Sequence, residues 1–329
     1  MNSKTRRIIL YLIILFFILI TPVIILYSLG YSFDWQQQKI VLTGGLYIKS
    51  TPKKATVYIN DKPKKETPVF IKRLTPKYYQ IKVTKEGFHE WSKKLKIESK
   101  LVTEVKNIVL IPVNPEIKII NEKIPDNFLL KEYISEKNIT SDDIFYIHKP
   151  SYILYKTDEI NSFQEQISLT PLPENQEYEI IVSSNQQISV LSNNKQLYIL
   201  NKETRSFELI KENIQQAQFS YDNEKLLYYT PNEIWIYYLN NNNQQDKKTG
   251  EYELITRLSQ KIGQAIWYET NQHIIFLVNQ KIKIIELDSR DKKNIVDIIK
   301  IDAQEIAYSE KNRILYLTKN EKLLGISLE

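Results

Sequence analysis

The chain has 329 residues, with 45 Lys and Arg against 39 Asp and Glu, a formal net charge of +6, 3 His, 7 Gly and no Cys. The missing cysteines exclude disulfides, thiol nucleophiles, zinc–thiolate sites, iron–sulfur clusters and a lipid-modified N-terminal Cys. The few glycines leave no place to write G-x-G-x-x-G or G-x-x-x-x-G-K-[ST], which removes phosphate-cradling loops and with them most nucleotide-driven chemistry.

At the N-terminus, Ile8 to Leu29 is a run of 22 residues without a charge. As a helix rising about 1.5 Å per residue it is long enough for a hydrocarbon core of about 30 Å. Lys4, Arg6 and Arg7 precede it, and Asp34 comes before the next cation at Lys39. The positive-inside rule therefore predicts residues 1–7 as a cytoplasmic tail, 8–29 as a transmembrane helix and the rest as extracytoplasmic. Seven residues hold no signalling domain, which argues against an inward-signalling sensor. A cleaved signal peptide would need an apolar region of about 7 to 15 residues before a small-x-small site. Ser28-Leu29-Gly30 is the only nearby candidate for that site, and the longer run favours a retained span. Pro22 is compatible with a spanning helix. Tyr27, Tyr31 and Trp35 suit the membrane interface, where amphipathic rings accumulate. Residues 30–44 read as a linker.

The charge is unevenly shared. Residues 1–7 carry +3, residues 44–112 carry 16 cations against 6 acids, and residues 113–329 carry 25 against 32. A basic module is thus followed in the chain by an acidic one. A solvated Lys-rich surface accounts for the first, as does attraction to anionic lipid or anionic wall polymer.

Residues 45–112 alternate apolar and polar side chains in Leu46–Lys49, Ala55–Ile59, Tyr79–Val83 and Leu95–Ile97, the period of half-buried strands. Turn signals at Thr51-Pro52, Asn60-Asp61-Lys62, Thr67-Pro68 and Thr75-Pro76-Lys77 separate them, so about six strands fit a compact antiparallel sandwich. This order of elements resembles the PEGA domain, a small extracellular β module. The matching residues are Leu46–Ser50, Thr51–Asp61 with Pro52-Lys53-Lys54-Ala55 at its head, Glu66-Thr67-Pro68, Leu74-Thr75-Pro76 and Lys85-Glu86-Gly87-Phe88. Lys54 stands where the family has the Gly of Pro-x-Gly-Ala, and Lys62 and Glu66 stand for turn glycines. The resemblance implies a structural or binding module with no catalytic residues.

Residues 113–329 contain a repeated β unit. Phe219, Leu226 and Ile234 recur as Trp267, Ile274 and Ile282, and again as Tyr308, Leu315 and Leu323, at offsets of 7 and 15 each time. The copies begin 48 and 41 residues apart, close to the length of a propeller blade. Asn240–Gly250 reads as a polar loop between outer strands, and weaker copies lie near Ile188–Leu200 and Tyr152–Leu169. Phe219-Ser-Tyr-Asp222-Asn223-Glu-Lys-Leu226 resembles the F-S-P-D-G-x-x-L signature of WD40-like blades in TolB-type propellers, with Tyr221 for the Pro and Asn223 for the Gly. The resemblance implies a β-propeller of roughly five or six blades at about 42 residues each. A non-propeller β sandwich is the alternative.

Little in the sequence points to chemistry. His89, His148 and His273 are isolated and form no metal-binding pattern. Asp142-Asp143 would face opposite sides of a strand, and Asp288 and Asp291 fall in a polar turn, so neither pair reads as a general acid and base. No G-x-S-x-G occurs. The 22 tyrosines, as at Tyr228-Tyr229 and Tyr237-Tyr238, read as strand core and rim. A basic region outside a membrane argues against nucleic acid. The expectation is a mostly β protein: one N-terminal transmembrane helix, a PEGA-like module at 45–112 and a propeller-like domain at 113–329. Its expected role is non-enzymatic binding or scaffolding at the cell envelope, without cofactor, metal or catalytic residues, with the membrane and an envelope protein as partners. The rival is an envelope hydrolase whose site is built from propeller loops. Acids of raised pKa in a central channel favour that rival, and an apolar channel disfavours it.

Overall fold

The structure is a computed structural model and describes residues 3–35, 37–125, 128–134, 144–158, 163–241 and 247–328. The chain divides into two compact units, residues 1–110 with Arg290–Lys292, and Ile111–Ser289 with Lys293–Glu329.

The first unit begins with a helix, Ser3–Ser28, that is apolar and long enough to cross a membrane. Its apolar side chains are exposed on all sides, as a lipid-facing helix requires. Two of its hydroxyls are satisfied within the helix, Thr21 Oγ1 donating to Phe17 O at 2.7 Å and Ser28 Oγ to Ile24 O at 2.8 Å. Gly30 ends it at φ +87°, a left-handed conformation that glycine adopts without steric cost. Residues 30–44, expected as a linker, hold an antiparallel hairpin of Tyr31–Asp34 and Lys39–Leu42, whose strands of four residues are too short to show a clear period of two.

Seven strands follow, not six, in two sheets. Thr56–Ile59, Lys62–Glu66, Tyr78–Thr84 and Trp91–Lys96 form the antiparallel one. In the other, Gly44–Thr51 lies between Val69–Leu74 and Val102–Val109. The expected all-antiparallel arrangement fails at one ladder, because Gly44–Thr51 and Val102–Val109 run parallel. A parallel pair needs a long crossover, and the intervening strands supply it. Leu46, Ile48, Val57, Ile81, Trp91, Leu95 and Val105 pack into one core between the sheets. Within it Ser50 and Thr67, both buried, hydrogen-bond at 2.6 Å, and Thr67 Oγ1 accepts the Ala55 N–H at 3.1 Å.

The turns follow from scarce glycine. Lys54, in the family's glycine position, has φ +59°. The next hairpin is carried by Asn60 and Asp61 at φ +48° and +60°; Lys62 and Glu66, read as stand-ins for turn glycines, are strand residues of extended backbone. Gly44 is needed for space, since a Cβ there would collide with the carbonyl oxygen of Glu98.

The second unit is a succession of five small sheets among the described residues. The first comprises Ile144–His148, Ile153–Thr157 and Gln164–Gln166, and the second Tyr178–Val182, Ile188–Ser192, Leu197–Asn201 and Ser206–Lys211. The third comprises Gln216–Phe219, Lys225–Tyr229, Glu233–Tyr238 and Tyr252–Arg257, and the fourth Ile262–Trp267, His273–Val278, Lys281–Glu286 and Ile295–Lys300. In the fifth, Glu305–Ser309, Ile314–Lys319 and Lys322–Ser327 are completed by Ile117–Asn121 from the start of the unit. Each sheet is an antiparallel meander, and separate apolar cores join the first to the second, the second to the third and the third to the fourth. Consecutive meanders packed face to face, with the last sheet completed by the first strand, make this a β-propeller-like fold.

The repeat is a register repeat. Phe219, Trp267 and Tyr308 pair across their first hairpin with Leu226, Ile274 and Leu315. Ile234, Ile282 and Leu323 pair with Tyr229, Leu277 and Thr318, three residues further along the second strand each time. The nine repeat positions are all buried. The polar insertion joins the third and fourth strands of its sheet, as expected, with 242–246 outside the described residues.

Replacing Lys54 by Gly is expected to stabilise the first unit by about 1 kcal/mol through relief of the left-handed backbone. Gly44→Ala is expected to destabilise it by about 2 kcal/mol or more. Hydrogen exchange of the amides of residues 44–109 in the full chain reads both effects, with opposite signs.

Candidate functional site: a cavity at the first strands of the second unit

The first strand of each sheet lies at the sheet edge, and four of these edges converge on one cavity of ≈ 590 Å³. Val182, Gln216, Gln218, Gln264, Ile266, Glu305 and Ile306 are among its lining residues, and Ile134 of the short helix Leu130–Ile134 joins them. The edges are tied by side chains. Trp267 Nε1 donates to Gln218 O at 3.0 Å, and the Ile306 N–H donates to Gln264 Oε1 at 2.8 Å. The lining is therefore neither wholly apolar nor wholly acidic.

At one end of the cavity the loops after the first strands form a connected rim. The Asn223 side-chain amide donates to Ser184 Oγ at 2.8 Å, and the Tyr221 N–H donates to Asn271 Oδ1 at 2.9 Å. Tyr308 O–H donates to Glu269 Oε2 at 3.1 Å, and Arg313 Nε lies 3.5 Å from the same oxygen. The rings of Tyr268 and Tyr308 sit 4.8 Å apart. In the loop Ser220–Glu224, Asn223 takes φ +57°, the turn its glycine-replacing position demands. Asp222 holds the fully buried Lys225 at 2.9 Å and accepts the Glu224 N–H at 3.1 Å.

The rim is electrostatically uneven. Partial burial of the Glu310 carboxyl, then repulsion from Glu269 and Asp222, raise its pKa above the ordinary 4.5. Burial pushes the Tyr221 hydroxyl up, with Glu310 adding to it. Burial first, then Tyr268 and Glu269, push Tyr308 up. These groups stay un-ionised phenols that donate hydrogen bonds at neutral pH. The arrangement suits hydrogen bonding and attraction of cationic groups.

The residues singled out in the sequence lie elsewhere. His89 is half-buried in the first unit, while His148 Nδ1 is 2.9 Å from Ser151 Oγ at the end of a strand. His273 is buried 2.8 Å from Thr270 Oγ1, in the position of the repeat that Lys225 occupies in the preceding copy. Among the described residues no group of three or more His, Cys, Asp or Glu is placed to hold a metal ion. Asp288 and Asp291 lie outside regular strands, and Asp142-Asp143 fall outside the described residues. Tyr228, Tyr229 and Tyr238 are core, as expected. Sequence reasoning noted Tyr221 only as the replacement for the signature's Pro and missed Glu269 and Glu310. The signal was present, since each lies two residues after the repeat aromatic, at Phe219, Trp267 and Tyr308.

Comparisons with known proteins bear on the fold. The PEGA domain family matches residues 43–110. No curated protein matches the chain. Among solved structures, the C-terminal WD40 domain of Sif2 is 8% identical with a TM-score of 0.39, covering 56% of this chain and 54% of its own. This chain therefore spans about half the length of that structure. The β-propeller domain of Cps50 (Swd1) from Myceliophteria thermophila is 11% identical with a TM-score of 0.41, covering 82% and 87%. A chain of the mitotic checkpoint complex is 10% identical with a TM-score of 0.41, covering 84% of each. With superposition scores this low, the likenesses add nothing to the strand order on which the propeller-like fold rests.

Two outcomes test the rim. Asp222→Asn leaves the buried Lys225 with Glu224, 3.7 Å away, as its remaining carboxylate and is expected to destabilise the second unit by about 1 kcal/mol in urea unfolding, less than for a dry pair because Asp222 is partly exposed. Glu310→Gln is expected to stabilise the fold at neutral pH, because a raised pKa disfavours the ionised native state. That gain disappears once the pH falls below 4.5, where folded and unfolded forms are both protonated, and a pH series of thermal melts reads it. The PEGA domain family thus matches residues 43–110, in one chain with an N-terminal apolar helix long enough to cross a membrane and a β-propeller-like unit.

Proposed function

We propose that the chain is a single-pass membrane protein, N-terminus cytoplasmic and the remainder extracytoplasmic, that binds or scaffolds other components of the cell envelope without catalysis. The observation that carries the binding role is the cavity and its hydrogen-bonded rim in the second unit. With Asp222 and Glu269 already facing Lys225 and Arg313, Glu310 is the rim carboxylate that favours a protein partner presenting a basic segment. The cations before the helix support the orientation.

The basic module supports a second contact, with anionic lipid or wall polymer. Of its six acids, Asp61, Glu90, Glu98 and Glu104 pair with Lys82, Lys96 and Lys106. Lys62, Lys64 and Lys65 are exposed on an edge strand and form no ion pair among the described residues. Lysine and proline on an edge also block strand-to-strand association, which is a sufficient structural reason for them.

The hydrolase reading keeps one observation in its favour, the raised pKa of Glu310. Turnover of envelope ester or glycan substrates that vanishes in Glu310→Gln supports it.

The binding reading is tested by site-specific crosslinking in cells. The intact chain is expected to stay with membranes at high salt. Rim crosslinks to a partner are expected to be lost in Glu269→Lys with Glu310→Lys. Crosslinks unchanged by that charge reversal remove the rim from the account, and release by salt removes the anchor.

A further inference from the structure

We propose that the hairpin Tyr31–Asp34 and Lys39–Leu42 is an interfacial foot, whose apolar face lies in the headgroup layer of the bilayer that the helix crosses. The inference rests on reading Ser3–Ser28 as a membrane span.

The hairpin is a sheet of two strands only. Such a sheet is marginal in water unless something covers one face. Its register pairs Tyr31 with Leu42 and Phe33 with Ile40, and Ser32 with Val41 and Asp34 with Lys39. Directly opposed residues share a face, so Tyr31, Phe33, Ile40 and Leu42 line one side while both charged residues lie on the other. Phe33 is 43% exposed and Ile40 55%. Trp35, 83% exposed, packs edge-on against Phe33 at 4.8 Å between ring centroids. An aromatic side chain that open to water is costly, and the ring against it, Phe33, is itself largely exposed.

Position says what does. Only Leu29 and Gly30 separate the hairpin from the helix. The Thr43 N–H and Oγ1 close onto Gly30 O at 3.0 and 2.8 Å, which fixes the hairpin's open end to the helix terminus. A bilayer of about 40–45 Å with a core of about 30 Å leaves about 5–7 Å of interface on each side. A strand of four residues is about 13 Å long, so a hairpin starting at the core boundary overlaps that layer at any tilt. The Arg73 guanidinium stacks 3.3 Å over the ring of Tyr27, in the last helical turn. That places a cation at the depth of the lipid phosphates, beside aromatic rings suited to the same layer.

The experiment uses the full chain reconstituted into phosphatidylcholine–phosphatidylglycerol vesicles, with bromine on the upper acyl carbons of part of the lipid. The chain has 4 Trp, and the difference in emission between the natural chain and Trp35→Phe isolates Trp35. Bromolipid is expected to quench that difference signal by about half or more, while aqueous iodide leaves it nearly unchanged. In Phe33→Asp with Ile40→Asp the bromolipid quenching is expected to fall and iodide quenching to rise, with flotation on the vesicles retained. Trp35 open to iodide, or shielded from both quenchers by protein, overturns the foot while flotation at high salt leaves the span standing. Failure to float overturns the span, and the foot with it.

Discussion

The ladder between Ile117–Asn121 and Lys322–Ser327 is the constraint on which the second unit depends. The fifth meander has only three consecutive strands, and its fourth comes from the start of the unit, with Ile117 opposite Ile326 and Ile119 opposite Leu324. The Ile124 N–H bonds Glu321 O at 2.7 Å, and Lys322 meets Glu122 at 2.6 Å. Gly325 admits Ile120 and Ile314 into close contact, tighter than a side chain would allow. Because strands so distant in sequence must meet before the fifth sheet is complete, the loop-closure entropy falls on this one contact.

Much of this was legible in the sequence because the repeated spacing is a register. An aromatic residue and an apolar one seven positions later are cross-strand partners, so a constant offset means a constant hairpin. The apolar helix was equally plain, since a long uncharged run has few other uses. The parallel ladder of the PEGA domain was hidden, because alternation along one strand carries no information about the direction of its neighbour. The hairpin at Tyr31–Leu42 was hidden by its shortness. The rim residues were hidden for a different reason: Tyr221 stands where the next two copies have Glu269 and Glu310, and only superposition of the repeats reveals their common place.

Charge and architecture divide the labour. The basic first unit spends most of its acids on local lysine pairs and leaves its edge strand positive. The acidic second unit gathers carboxylates near one end of a cavity whose walls mix glutamine amides with isoleucine. Rigid strands position that end, while turns supply its chemistry, the usual division in binding folds.

The left-handed turns have a consequence outside the native state. Among the described residues 19 non-glycine positions have positive φ, most of them Asn, Lys, Arg, Gln and acids. A glycine at each would be less strained in the fold, yet it would also give the unfolded chain more conformations to lose. The chain therefore starts folding from a stiffer ensemble, and part of its stability lies in the freedom its disordered form lacks.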